Sequence, residues 1–206
     1  MVTTNGRFIL ASASPRRIEL LQLLGLSFEV MPSQVDEGFV RGETPQGHVL
    51  RLSRAKIHDA CARYQNAWVM GADTIVIING EVLGKPRTPD EAREMLGQLS
   101  GNVHRVFTGF TVARNSKNIE ISDAVESSVR FRDITADEMT WYIKSPEPYD
   151  KAGGYAVQGM GAFFIKEING SYTNVMGLPL CEVVDVLKRI GAIDFAGGRN
   201  GINGKG

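Results

Sequence analysis

Short apolar runs alternate with helix-start signals along the chain, and this alternation restricts it to an α/β fold. Phe8-Ile9-Leu10-Ala11 is typical of a buried strand, and Ser14-Pro15 follows as a helix cap with proline at the first helical position. The same cap-and-proline pair returns at Thr44-Pro45 and at Thr88-Pro89, where Glu91 also predicts a capping box. Strands that lead directly into helices predict parallel strand–helix–strand units.

Two hairpins add antiparallel strands to this pattern. The apolar run from Trp68 to Ile78 predicts one long strand. Asn79-Gly80 is a strong turn signal, and it predicts that the chain returns through a second strand at Glu81-Val82-Leu83. The sequence predicts a second pair of strands, at Val106 to Ala113 and at Ile119 to Phe131. Parallel units combined with hairpins predict a mixed β-sheet with flanking helices.

The C-terminal third of the chain carries mixed signals. Thr135 and Glu138 predict a capping box at the start of a helix, whereas residues 145–161 are rich in glycine and proline and predict a loop. The apolar run Ala162-Phe163-Phe164-Ile165 predicts a strand, and Leu180 to Ile190 predicts an amphipathic helix. The α/β pattern therefore continues nearly to the C-terminus.

Length and glycine content bound the domain organisation. The chain has 206 residues and no internal linker, which predicts a single domain over residues 1–190. Six of the remaining sixteen residues are glycine, and we expect residues 191–206 to form a disordered tail.

Composition excludes several classes of function. Lys and Arg total 23, as do Asp and Glu, so the chain lacks the basic excess of a nucleic-acid binder. Its two cysteines, Cys61 and Cys181, are far apart, and we expect reduced thiols in a cytoplasmic protein rather than a disulfide framework or zinc site. Its apolar stretches are far shorter than the ~20 residues of a membrane span, so no membrane association is expected.

Polar residues follow the first strand where a helix is expected to begin. The segment from residue 12 to residue 17 would present free backbone N–H groups and the hydroxyls of Ser12 and Ser14 at a helix N-terminus, which favours anions. Arginines oppose the helix dipole at this end, so Arg16 and Arg17 are unfavourable there unless an anion lies nearby. The residues alone equally allow a capped helix with solvated arginines.

An acidic residue interrupts the long apolar strand. Asp73 lies within Gly71-Ala72-Asp73-Thr74-Ile75, and a lone buried carboxylate needs a metal, a cation or several hydrogen-bond donors. Such a carboxylate can have a pKa suited to a general base. The alternative is an aspartate that bonds the backbone at a strand bulge, but Thr74 adds a second polar group and favours a functional role.

Two loops carry further candidates. Glu37, next to Asp36, could join Asp73 in holding a hard divalent cation such as Mg²⁺, although adjacent acids are usually only solvated. Gln158 lies in a loop over residues 147–159 and has both a donor and an acceptor, which suits it to reading a base edge. A flexible connector is the alternative for this loop.

Two lysines could supply positive charge. Lys85 follows the hairpin strand, where a surface lysine is the simpler interpretation. Lys56 lies on the same helix as Arg51 and Arg54 but on another face, and it can point inward. The residues alone therefore indicate a phosphate-handling site with acids for a metal and for a general base.

The same segments, in the same order, resemble the Maf family of nucleotide pyrophosphatases. Each motif is weak alone, but the ordered set spans about residues 8–190 and is highly specific. The matching residues are Ser12-Ala13-Ser14-Pro15-Arg16-Arg17, Asp36-Glu37, Gly71-Ala72-Asp73-Thr74, Gly84-Lys85-Pro86, Leu99-Ser100-Gly101 with His104 and Thr108-Gly109, Glu147-Pro148 with Asp150-Lys151-Ala152-Gly153, Gln158-Gly159, and Gly170-Ser171-Tyr172 with Gly177-Leu178-Pro179-Leu180.

The resemblance implies hydrolysis of a nucleoside triphosphate between the α and β phosphates, which yields a monophosphate and pyrophosphate. It implies two lobes around a central cleft, similar to the inosine triphosphatase fold, and a homodimer. The Ser-Pro-Arg-Arg and Gly-Ala-Asp-Thr segments resemble the dTTP/UTP branch. The sister branch, active on 7-methyl-GTP, tends to replace the first arginine and to carry Gly-Ser-Asp-Gln.

The resemblance also assigns roles to individual residues. Asp73 matches the proton acceptor, and with Glu37 it would hold Mg²⁺ or Mn²⁺. The residues that match base-specificity positions are Arg16, Thr74 and Gln158, and those that match the pocket lining are Glu37, Lys56 and Lys85. Two alternatives stay open: the same chemistry on 7-methyl-GTP or inosine triphosphate, or a nucleotide-binding regulator of septum formation.

Overall fold

The structure is a computed structural model that describes residues 2–195, and these residues form nine strands and six α-helices. The strands are β1 (Val2–Thr4), β2 (Phe8–Leu10), β3 (Glu29–Val30), β4 (Trp68–Ile78), β5 (Glu81–Leu83), β6 (Val103–Arg114), β7 (Ile119–Phe131), β8 (Ile165–Asn169) and β9 (Ile193–Phe195). The helices are α1 (Pro15–Leu23), α2 (Pro45–Arg63), α3 (Pro89–Leu99), α4 (Ala136–Tyr142), α5 (Tyr172–Met176) and α6 (Leu180–Arg189).

Seven of the strands form one mixed sheet. Their order is β3-β2-β4-β6-β7-β8, and β5 pairs with β4. Strand β2 runs parallel to β3 and β4, while the remaining pairs in this sheet are antiparallel. The predicted mixed α/β fold is therefore confirmed.

The long strand β4 has a gap along one of its edges. Its other edge pairs with β6 over residues 69–77. On the gapped edge, β4 pairs with β2 through residues 68–70 and with β5 through residues 76–78. Residues 71–75 therefore have no strand partner on that side, and the sheet is open at this point.

Helix α2 lies unusually close to the sheet beside this gap. Thr44 caps the helix by accepting a hydrogen bond from the backbone N–H of Gly47, and proline occupies the first turn. A Cβ atom added at Gly71 would lie 2.6 Å from the carbonyl oxygen of Ser53, and one added at Gly109 would lie 2.6 Å from that of Val49. The two glycines thus permit the helix backbone to approach β4 and β6.

Two hydrophobic cores pack against opposite ends of β4. Trp68 and Met70 belong to a core that includes helices α1 and α6, whereas Val76 and Ile78 belong to a core built on α3, β7 and the chain beyond α4. The polar middle of the strand lies between these cores. They correspond to the two lobes expected around a central cleft.

Two of the predicted helix caps differ from the structure. The Thr135–Glu138 capping box is present, but the side chain of Ser14 makes no capping hydrogen bond. The box predicted at Thr88 is only half formed, because Glu91 accepts the backbone N–H of Arg87 instead of that of Thr88.

The segment around residue 160 was predicted incorrectly. Residues 162–165 do not form a strand; Met160–Phe164 is a 3₁₀ turn and β8 starts at Ile165. The carboxylate of Glu147 accepts hydrogen bonds from the backbone N–H groups of Met160 and Gly161, at 2.8 Å each, and thereby holds this segment in a turn. Apolar character alone does not reveal such a contact thirteen residues away.

The predicted C-terminal tail begins too early. Residues 191–195 are ordered into a turn and strand β9, which pairs antiparallel with β1 in a small second sheet. The rest of the predicted tail, residues 196–206, lies outside the described residues.

Candidate active site

Asp73 and Thr74 occupy the open middle of β4 and point to opposite faces of the sheet, since side chains alternate along a strand. Asp73 faces helix α2 and is only 6% exposed. Its Oδ1 atom accepts a hydrogen bond of 2.6 Å from the ammonium group of Lys56, which projects from α2. The buried carboxylate therefore has a buried cationic partner.

Lys56 also binds a second acid. Glu37 lies on the loop between β3 and α2 (residues 31–44, here called the acid loop), and its Oε1 atom is 2.6 Å from Lys56 Nζ. Burial raises the pKa of the Glu37 carboxyl, but the hydrogen bond and charge of Lys56, with the charges of Lys85 and Arg17, outweigh burial and hold that pKa below its usual value. Glu37 and Asp73 are thus brought together around one positive centre.

The acid loop is fixed against helix α2. Arg51 donates two hydrogen bonds to Glu43, at 2.7 and 2.9 Å, and these bonds are the main reason that the Glu43 pKa falls to about 2. Phe39 stacks on His48, with ring centroids 3.6 Å apart. These contacts hold the loop, and the acid that it carries, over the gap in the sheet.

Arg17 closes the other face of the gap. Its guanidinium group is buried and donates to the carbonyl of Ala72 at 2.8 Å, a backbone group that has no strand partner on this edge. It also donates to Thr74 Oγ1 at 3.0 Å, Ser12 Oγ at 3.2 Å and the carbonyl of Gly177 at 2.9 Å. Burial lowers the pKa of this guanidinium, which nevertheless keeps its charge.

Sequence reasoning did not single out Arg17. The Ser-Pro-Arg-Arg segment indicated two solvated arginines or an anion site, and it did not distinguish between the two positions. In the structure Arg16 is half-exposed and lies 3.9 Å from an oxygen of Asp150, whereas Arg17 points inward and organises the strand ends. The usable signal was helical spacing, because Arg17 lies three residues before the buried Leu20 and so shares its face.

Two cavities meet at Asp73. The first has a volume of about 390 Å³ and is rich in polar and cationic side chains, and the second, of about 620 Å³, has apolar walls that include Phe39, Leu52 and Val82. The residues common to both are Glu37, Asp73, Thr74, Lys85 and Ala152.

Eight of the nine site residues predicted from the sequence line the first cavity. They are Ser12, Ser14, Arg16, Glu37, Lys56, Asp73, Thr74 and Lys85. Gln158 is the exception: its side chain is exposed and lines neither cavity, although the adjacent Val157 lines the first. The structure thus brings residues 12–17, the acids and the lysines together around one cavity and leaves Gln158 at the periphery.

The donor chemistry fits a hard divalent cation. Two carboxylate oxygens already converge on one point, the Lys56 ammonium, at 2.6 Å each. Within residues 2–195 no group of three His, Cys, Asp or Glu side chains is placed to hold a metal ion. Mg²⁺ is commonly bound by two protein carboxylates, and its remaining ligands come from phosphate and water.

The fold and the site together are those of an α/β protein with a polar cleft suited to a phosphate-bearing ligand. The chain belongs to the Maf family: it matches the family described as Maf-like protein over residues 7–190. The family resemblance read from the sequence is thereby confirmed. Among the described residues, no helix is both long and apolar enough to span a membrane.

Curated relatives cover nearly the whole chain. The dTTP/UTP pyrophosphatase of Syntrophus aciditrophicus is 58% identical over 191 residues, which are 93% of this chain and 93% of that protein. The dTTP/UTP pyrophosphatase of Geotalea uraniireducens is 49% identical over 94% of this chain and 100% of that protein.

A solved structure shares the fold at low identity. The Ham1 protein of Staphylococcus aureus matches with a TM-score of 0.52 at 11% identity, over 90% of this chain and 97% of that chain. This likeness confirms the inosine-triphosphatase-like architecture expected from the sequence.

Proposed function

We propose that this protein hydrolyses dTTP and UTP between the α and β phosphates and releases the nucleoside monophosphate and pyrophosphate. The observation that carries the proposal is the position of Asp73, a buried carboxylate where two cavities meet, with Lys56 and Lys85 beside it. A substrate that is cleaved into two sizeable parts suits a site in which the acid lines two adjoining cavities. The relatives named dTTP/UTP pyrophosphatase support the choice of base.

The mechanism assigns each step to a side chain. Asp73 accepts a proton from the water that attacks the α phosphorus, because it is a carboxylate at the junction of the cavities. Lys56 and Lys85, with the backbone N–H groups near Ser14, offset the negative charge that grows on the leaving pyrophosphate. A bound Mg²⁺ or Mn²⁺, held by Glu37 and Asp73, would neutralise charge on the triphosphate.

Base selectivity involves a different set of residues. Arg16 lines the first cavity and is only partly exposed, so it can donate hydrogen bonds to a pyrimidine edge. Thr74 helps to shape the same cavity, since its hydroxyl is bonded to Arg17 and Thr108. Gln158 would contribute to base recognition only if its loop moved towards the cavity, since its side chain lines neither cavity.

A panel of triphosphates, assayed for pyrophosphate release with and without Mg²⁺, tests this function. We expect hydrolysis of dTTP and UTP at rates well above those of 7-methyl-GTP, inosine triphosphate and GTP, and loss of activity with a chelator. Faster turnover of a purine triphosphate would contradict the assigned base. Nucleotide binding without turnover would instead favour the regulator of septum formation.

We further propose that the protein acts as a cytoplasmic homodimer that binds no nucleic acid. The net charge of zero supports the last point, because nucleic-acid affinity depends on a basic surface. Light scattering coupled to gel filtration measures the mass in solution, and a mass of 22.5 kDa would contradict the dimer.

A further inference from the structure

Lys56 has a position that substrate binding alone does not explain. Its ammonium group makes two ion pairs of 2.6 Å, one with Glu37 and one with Asp73, and its side chain is only 10% exposed. These are the two carboxylates assigned to the divalent cation. The ammonium therefore occupies the point at which their oxygens converge.

We propose that Lys56 is an internal cation that holds the two carboxylates in the free enzyme and must leave them when a divalent cation binds. This inference rests on the proposed function for the identity of the cation. Two positive groups repel each other when they share the same pair of oxygens, so the ammonium and the metal compete. The released ammonium then becomes available to the phosphates in the same cavity.

The ion pairs of Lys56 also stabilise the folded protein in the absence of metal. Asp73 is 6% exposed, so without a cation its carboxylate would lose hydration and would also be repelled by the nearby, more exposed Glu37. Lys56 supplies the cation from α2, which Gly71 and Gly109 allow to approach the sheet closely. The same residue thus stabilises the metal-free protein and weakens its affinity for metal.

The inference predicts a gain of metal affinity from the loss of a lysine. Mn²⁺ binding, measured by electron paramagnetic resonance without nucleotide, should be roughly tenfold tighter in Lys56→Met than in the wild type, because in the wild type the metal must first break the buried Lys56–Asp73 ion pair. Lys85→Met is the matched control. Lys85 lines the same cavity and its charge also acts on Glu37, but within residues 2–195 it forms no ion pair with either acid.

The control separates ion pairing from the general field of the cavity. Lys85→Met should tighten Mn²⁺ binding much less than Lys56→Met. Equal Mn²⁺ affinities in the two variants, or an Mn²⁺ affinity of Lys56→Met no higher than that of the wild type, would overturn the inference. The Mn²⁺ measurement needs no turnover, so it can support the role of Lys56 even if the triphosphate panel contradicts the proposed hydrolysis. Conversely, the panel can support the hydrolysis even if Mn²⁺ binding contradicts the role of Lys56.

A second measurement uses the wild-type chain, in case Lys56→Met does not fold. Reductive methylation read out by mass spectrometry reports how freely each lysine amine reacts. We expect Mg²⁺, added without nucleotide, to raise the rate at Lys56 several-fold and to leave the exposed Lys166 unchanged. An unchanged or lower rate at Lys56 would contradict its release.

Discussion

At the scale of single residues, the proposed chemistry depends on Asp73, a carboxylate in the part of β4 that has no strand partner along one edge. Asp73→Asn keeps the shape of the side chain but removes its ability to accept a proton, so we expect kcat to fall by about 10²-fold or more. The fold should persist, because Lys56 retains its pair with Glu37. Steady-state kinetics with dTTP, together with circular dichroism of the variant, check both points. Turnover close to that of the wild type would remove Asp73 from the role of base.

Residues at the site differ in how far the sequence could predict them. Asp73 was recognisable because a charge inside an apolar strand is costly and therefore conspicuous. Arg17 was not, since its role depends on the gap between β2 and β5, which is a property of strand pairing and not of local sequence. Gln158 suits base reading by its chemistry, but the course of its loop places it outside both cavities.

At the scale of elements, the distance between helix α2 and the sheet determines where Lys56 lies. Gly109→Ala would place a methyl group 2.6 Å from the backbone of Val49, and backbone cannot move aside cheaply. We expect this variant to lose about 2 kcal/mol of unfolding free energy and to lose activity as the helix shifts. Urea denaturation and the dTTP assay measure the two effects.

A glycine elsewhere in a helix provides the control for this experiment. A Cβ atom at Gly97 in α3 would meet nothing within 4 Å, so Gly97→Ala should stabilise the protein by about 0.5–1 kcal/mol. If Gly109→Ala were as stable as the wild type, the close contact of α2 with the sheet would not constrain the site.

Elements were predictable where local signals agreed with tertiary structure. Strands β4 and β7 begin and end where the apolar runs and turn residues indicated. Local reading failed around Met160–Phe164, where the distant Glu147 binds the backbone, and at β9, which pairs with a strand near the opposite end of the chain. Both failures involve partners that no short window of sequence contains.

At the scale of the whole molecule, one buried histidine couples stability to pH. His104 is 1% exposed in the core beyond the gap, where its Nε2 atom is 2.7 Å from the hydroxyl of Tyr155. Its Nδ1 atom is buried without a hydrogen-bond partner among the described residues. Burial lowers the pKa of His104 to about 4, which is below the value of about 6.5 expected in the unfolded chain.

The direction of the effect follows from these two pKa values. Between pH 6.5 and 4 the unfolded chain binds a proton at His104 that the folded chain rejects, so stability decreases as the pH falls. We expect the free energy of unfolding to drop by about 2 kcal/mol from pH 7 to pH 5 through this residue. The carboxyl groups of Glu37, Glu43 and Glu138, whose pKa values are lowered, affect stability chiefly at more acidic pH. Urea denaturation of the wild type and of His104→Gln at pH 7 and pH 5 isolates the contribution of the histidine. The quantity compared is the change in the free energy of unfolding between the two pH values, so a general loss of stability in the variant does not affect it. An equal drop in the variant would show that other groups control the acid sensitivity of the fold.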